Sequence, residues 1–168
     1  IAEGDAFNRV LIDRAERRLR NLGYFGEVRV GTEPGSAPDR VILVVDVTEE
    51  RTGEFSYAIG YSTAEGVDGD VALTERNFLG RGYNMRIGVG GGANTRTYEF
   101  SFTDPYFLGR RISAGINLFR REYDANDDFR SYDYESTGGG VAFGFPITEN
   151  FTVTTGYQLE VQDIEIDD

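Results

Sequence analysis

From residue 53 onward this chain alternates. Phe55, Tyr57, Ile59 and Tyr61 are separated by Ser56, Ala58, Gly60 and then Ser62. A strict period of two sends one set to each face of a strand, one face apolar and the other small and polar. The alternation returns six more times at regular spacing. Strands are expected over residues 54–62, 67–77, 83–91, 95–103, 111–123, 131–145 and 151–161. In the fourth, Tyr98, Phe100 and Phe102 share a face; in the fifth, Ile112, Ala114, Ile116 and Leu118. Val141, Phe143 and Phe145 align in the sixth, and Phe151, Val153, Thr155, Tyr157, Leu159 and Val161 in the seventh. Each strand is about long enough to cross a bilayer when tilted.

Composition narrows the chemistry. The 168 residues contain no cysteine and no histidine, which removes disulfides, Cys/His metal sites, catalytic thiols and histidine acid–base chemistry together. A formal charge of −12 argues against a nucleic-acid partner. All 17 basic residues are arginine, for which nothing in the chain offers a physical reason. Glycine at 22 residues and aromatics at 13% are both high. That combination suits either a water-soluble all-β protein or a transmembrane β-barrel. A barrel escapes hydropathy searches because only every second residue needs to be apolar. Ile1 in place of Met leads us to expect a removed signal peptide or an excised piece.

The connections between strands differ in character. Residues 78–82, 104–110 and 146–150 are short with aromatics nearby, whereas 64–68, 90–94 and 124–130 are polar, glycine-rich or acidic. An up-and-down meander puts the first set at one end and the second at the other. Phe55, Phe78, Tyr83, Phe102, Tyr106, Phe107, Phe145 and Phe151 then gather at one end, as in an interfacial girdle. Seven strands fall short of the even numbers, from about 8 upward, at which bacterial barrels close. The expectation is an incomplete barrel cut from a longer chain.

The first 50 residues read differently. Residues 4–22 form a helical pattern, with Asp5 as N-cap and Phe7, Leu11, Ala15, Leu19 and Leu22 on one face. Arg14, Arg17, Arg18 and Arg20 crowd its C-terminal half, favourable to the helix dipole; they read as a solvated face or, alternatively, a docking patch for a partner, and Gly23 stops the helix. Strands follow over 24–32 and 40–48, around a turn at 33–38. One helix and two strands make a thin core, so upstream elements of this module are expected to be missing.

Four motifs, in order, carry a family resemblance. Gly4-Asp5-Ala6-Phe7-Asn8, with Leu22-Gly23-Tyr24-Phe25, resembles the last POTRA domain of the BamA family of outer-membrane protein assembly factors. Asn77-Phe78-Leu79-Gly80-Arg81-Gly82 resembles that family's first periplasmic turn. Asp104-Pro105-Tyr106-Phe107 resembles its second and Gly144-Phe145-Pro146-Ile147 its third. The resemblance implies a mostly β chain. Residues 1–50 would be the C-terminal part of the membrane-proximal POTRA domain, an α/β module in the periplasm. Residues 53–168 would be the first seven antiparallel strands of a transmembrane barrel in the bacterial outer membrane.

The resemblance also implies a function: insertion of β-barrel proteins into the outer membrane, without a cofactor. Its partners would be nascent outer-membrane proteins, accessory outer-membrane lipoproteins, periplasmic chaperones and the bilayer. In the family, the first barrel strand is a weak seam with which a substrate strand pairs. Glu54, Phe55, Ser56, Tyr57, Ala58, Ile59, Gly60 and Tyr61 would be that edge. β-augmentation there supplies main-chain hydrogen bonds largely independent of sequence, and Gly60 lowers strand stability. An ordinary closed seam is the plainer reading of the same strand. The alternative function is a translocation or secretion pore of the same superfamily; a plain porin needs no soluble module.

Two other constellations carry a weaker chemical signal. Asp124, Asn126, Asp128 and Glu135 fall at positions 1, 3, 5 and 12 of an EF-hand-like loop, but Phe129 stands where glycine is required and strands flank it, so no metal is expected. Glu49 with Glu50, or Asp127 with Asp128, could be imagined as an acid–base pair. Without histidine or lysine to activate a nucleophile, no catalytic role is expected.

Overall fold

The computed structural model describes residues 4–63, 66–125, 132–148 and 151–166. The chain divides into two compact units, Ile1–Thr52 and Gly53–Asp168.

The first unit holds a helix, α1 (Arg9–Asn21), and a hairpin of β1 (Phe25–Pro34) and β2 (Val41–Glu49). The helix begins later than the apolar pattern suggests, because Asn8 and not Asp5 caps it. Asn8 is extended (φ −138°), and its Oδ1 accepts from the Val10 and Leu11 amides at 3.0 and 3.3 Å. Two of the amides that a helix start leaves orphaned are thereby satisfied. Gly23 takes φ 67° and donates its N–H to the Arg20 carbonyl at 3.2 Å, ending the helix where its sequence placed the stop.

The buried face of α1 centres on Ile12, 6% exposed, whereas Phe7, Leu11 and Leu22 are exposed. The helix packs on β1, whose Val28 is 1% exposed, and that contact selects the face. Nor is all of the arginine cluster solvated: Arg20 pairs with Glu16 and also donates to the Val28 carbonyl at 3.2 Å.

The second unit is one antiparallel sheet in strict sequence order. Its strands are β3 (Gly53–Ser62), β4 (Gly66–Phe78), β5 (Tyr83–Gly92), β6 (Thr95–Asp104), β7 (Ser113–Tyr123), β8 (Tyr132–Pro146) and β9 (Thr152–Ile166). All seven expected strands are present. The largest shifts are a start at Ser113 rather than residue 111 for β7 and an end at Ile166 rather than 161 for β9. The 106–112 segment is a turn, with the Phe107 amide donating to the Ile112 carbonyl at 2.8 Å, so β7 can start only after it. β9 continues because every residue from Thr152 to Ile166 has a partner in β8.

Register fixes what each face carries. One row across the sheet runs Phe55, Leu73, Ile87, Phe100, Leu118, Gly139, Leu159; the next runs Tyr57, Val71, Val89, Tyr98. This face is apolar and open to the surroundings: Ile59 is 78% exposed and Val161 74%. The opposite face is small and polar, with Ser56 opposite Ala72, Gly88 opposite Glu99 and Gly140 opposite Gln158. Phe119 is a large exception, and Tyr123 and Tyr134 are others nearer the outer end. Phe119 lies against Gly138, and Arg121 stacks over its ring at 4.5 Å.

Candidate strand-pairing edge and turns

β3 is one border of the sheet. It pairs with β4 through ten consecutive residues, Gly53↔Glu75 to Ser62↔Gly66, without a bulge. No strand lies on its other side among the described residues. The eight expected edge residues, Glu54 to Tyr61, therefore lie on one continuous extended backbone. Their side chains do two things. Phe55, Tyr57, Ile59 and Tyr61 stand on the apolar face, 66–78% exposed. Ser56, Ala58 and Gly60 stand on the other. Ser56 Oγ reaches the Ala72 carbonyl at 3.5 Å, and Asp68 Oδ1 fills the space a Cβ on Gly60 would need, 2.6 Å from it. Small residues here let the neighbouring strand's acidic side chain lie flat over β3. β9 is the other border.

The turn motifs meet at the end of the sheet where β3 begins, called the inner end below. In the first, Glu75 accepts from the Asn77 amide at 2.9 Å and Asn77 Oδ1 from the Gly82 amide at 2.7 Å. Leu79, Gly80 and Gly82 all take positive φ, at 59°, 68° and 71°. In the second, Asp104 Oδ1 accepts from the Tyr106 amide at 2.8 Å, the Asx-turn that an Asp-Pro sequence favours. Leu108 and Gly109 follow at φ 56° and 69°. In the third, the Ile147 amide donates to the Phe151 carbonyl at 2.9 Å.

The aromatic gathering exists in part. Phe78 opposes Tyr83, the Tyr83 and Phe102 rings are 5.2 Å apart, and Phe107 folds back to 6.3 Å from Phe143.

At the outer end the apolar face gives way to charge. Arg96 pairs with Glu122 and Asp124 at 3.6 and 3.4 Å, and Arg120 with Glu122 and Glu135 at 2.6 and 3.0 Å. Two members of the EF-hand-like set, Asp124 and Glu135, are thus engaged by arginine; Asn126, Asp128 and Phe129 lie outside the described residues, as does the Asp127–Asp128 pair.

Two further features complete the geometry. One is a hub on the small-residue face, where Glu160 accepts from Ser136 at 2.5 Å, Gln162 at 2.9 Å and Tyr134 at 3.4 Å, with Ser136 fully buried. Its members sit on two strands more than twenty residues apart, so no local pattern announces it. The other is a repeat in plain view: Phe78-Leu79-Gly80-Arg81 and Phe107-Leu108-Gly109-Arg110 are the same tetrapeptide.

The Omp85 superfamily domain model matches residues 77–168, more than half of the chain. The chain belongs to the Omp85 superfamily. The POTRA model, described as a surface antigen variable number repeat, matches residues 1–50. The outer membrane protein assembly factor BamA of Nitratidesulfovibrio vulgaris is 32% identical over 172 residues, which is 100% of this chain and 21% of that protein. The BamA of Neisseria meningitidis serogroup B is 28% identical over 153 residues, 89% of this chain and 19% of that protein. The chain thus spans about a fifth of these curated relatives. A crystal structure of BamA from Haemophilus ducreyi lacking POTRA domains 1–3 shares the fold, with a TM-score of 0.81 at 24% identity over 98% of this chain and 32% of the other. Membership in this Omp85–POTRA family places the chain in the outer membrane, with its POTRA residues on the periplasmic side.

Proposed function

We propose that this chain is the membrane-proximal part of an outer-membrane protein assembly factor. Residues 1–50 are the C-terminal part of its last POTRA domain, and residues 53–168 are the N-terminal part of its transmembrane barrel. β3 is the edge on which a nascent outer-membrane strand pairs before release into lipid. Accessory outer-membrane lipoproteins and periplasmic chaperones are its further partners by family likeness.

The observation that carries this reading is β3 itself. β3 is ten residues long, regular along its length, a border of the sheet among the described residues, and it carries a largely exposed apolar face. An exposed edge of that length is a liability for a soluble protein. It is an asset where the task is to satisfy the backbone groups of an incoming strand, each of which costs several kcal/mol if left unpaired in hydrocarbon. The reaction needs no nucleophile. Its driving force is backbone pairing together with burial of the substrate's apolar surface in the bilayer. The turn motifs Asn77 to Gly82 and Asp104 to Phe107 serve by holding the adjacent strands in register.

Site-specific cross-linking tests the edge. Single cysteines at Ser56 or Ala58 of the full-length protein are expected to capture the terminal strand of a stalled substrate, and a cysteine at Ser101, in the middle of the sheet on β6, is not. Equal capture at both would remove the special role of β3. Detergent-free solubility of the full-length protein would overturn the barrel reading altogether.

A further inference from the structure

The proposed function leaves the tips of the inner-end turns unexplained. The two Phe-Leu-Gly-Arg turns repeat in backbone as well as sequence, each with its leucine in the left-handed region and its glycine beside it. Glycine or asparagine would sit there more easily. The leucines do not recover the cost by packing within the chain: Leu79 is 73% and Leu108 80% exposed. The third turn carries an exposed aliphatic too, Ile147 at 64%.

Charge is arranged to match. At the outer end, Arg96 and Arg120 are taken up by carboxylates. At the inner end, Arg81 and Arg110 are exposed, and neither forms an ion pair among the described residues. Each follows its exposed leucine by two residues. An aliphatic tip beside an uncommitted guanidinium is the chemistry of a phospholipid boundary. The aliphatic group enters the acyl region, while the planar cation binds a phosphate oxygen pair. Position favours lipid over a protein cover. Phe78 opposes Tyr83, and Phe107 lies against Phe143, so both turns continue the apolar face of the sheet and not its small polar face.

We propose that these two turns are phospholipid anchors: Leu79 and Leu108 insert at the acyl–headgroup boundary of the periplasm-facing leaflet, and Arg81 and Arg110 bind the phosphate of an anionic phospholipid. This rests on the reading that β3–β9 lie in the membrane. The anchors would hold the inner end at a fixed depth while the β3 edge exchanges partners.

The test uses the full-length protein in phosphatidylcholine vesicles, with a fluorophore on a single cysteine at Leu79, Leu108 or Tyr157. Tyr157 belongs to the apolar face and reports the barrel alone. Vesicles contain either brominated phosphatidylcholine or brominated phosphatidylglycerol at equal mole fraction. Labels at Leu79 and Leu108 should be quenched by both, and by the phosphatidylglycerol about fivefold more effectively, the enrichment expected of one arginine near an anionic headgroup. Arg81→Gln and Arg110→Gln should each abolish that preference at its own turn and leave quenching at Tyr157 unchanged. Turn labels that neither lipid quenches, with Tyr157 still quenched, overturn the anchors. Access of aqueous iodide would then separate tips in water from tips covered by protein. A turn label quenched equally by the two lipids removes the phosphate site. Absence of quenching at Tyr157 sinks the barrel reading instead.

Discussion

Gly138 shows how much a single residue can decide. A Cβ there would stand 2.5 Å from Phe119 Cζ and 2.6 Å from the Leu159 carbonyl oxygen. One of those obstacles is backbone and cannot swing aside. Gly138→Ala should therefore lower stability by about 1–3 kcal/mol, the range for forcing extra atoms into a packed site. Gly69→Ala, whose Cβ would meet only the Ala58 carbonyl at 3.6 Å, should cost far less. Loss of resistance to SDS on heating would rank the two. Leu79 poses the converse problem, since its side chain tolerates a backbone it does not favour. Leu79→Val, β-branched at φ 59°, should be destabilising by about 1–2 kcal/mol, while Leu79→Gly should not be. A denaturant midpoint that falls equally for both would show that the side chain, not the backbone, matters there. None of this is visible in the sequence as an energy. The repeated tetrapeptide was legible, but the left-handed leucine within it was not.

Among elements, β3 was the most legible and α1 the least. Period-two alternation leaves a strand few alternatives, so the starts of β3 and β5 lie within one residue of expectation. The helix start is ambiguous in the sequence because two candidate caps, Asp5 and Asn8, lie within one turn. The choice depends on which residue is extended with an oxygen aimed at free amides. Asn8→Ala should cost about 1 kcal/mol of POTRA stability, measured by urea unfolding of the full-length protein's periplasmic region. The helix face differs from the apolar pattern for a tertiary reason: packing on β1 brings Ile12 inward in place of Leu11. β3 shows the limit of legibility even where its bounds are right. Its alternation says that the strand has two faces. Which side chains of β4 lie over it, Asp68 on Gly60 among them, is set by the register between the two strands.

Across the whole sheet, the two faces are expected to meet different surroundings. Leu118 lies in the central apolar row, between Phe100 and Gly139. Leu118→Arg should cost roughly 2–4 kcal/mol if that position is near the bilayer midplane, and membrane insertion, followed by protease protection, should fall accordingly. Gln158→Arg, on the small-residue face beside Glu160, should insert normally. Equal loss for both would mean that the apolar face does not meet lipid. The sequence by itself determined a good deal here: seven strands, their order, which side chains share a face, and the kinship carried by the turns. Those follow from interactions within a strand or across one short turn, whose range is a few residues. Tertiary structure decided the rest: the Glu160 hub, the arginine pairs at the outer end, and the glycines that make room for Phe119 and Asp68. Each of these brings together groups from different strands, and only the register of the assembled sheet sets those distances.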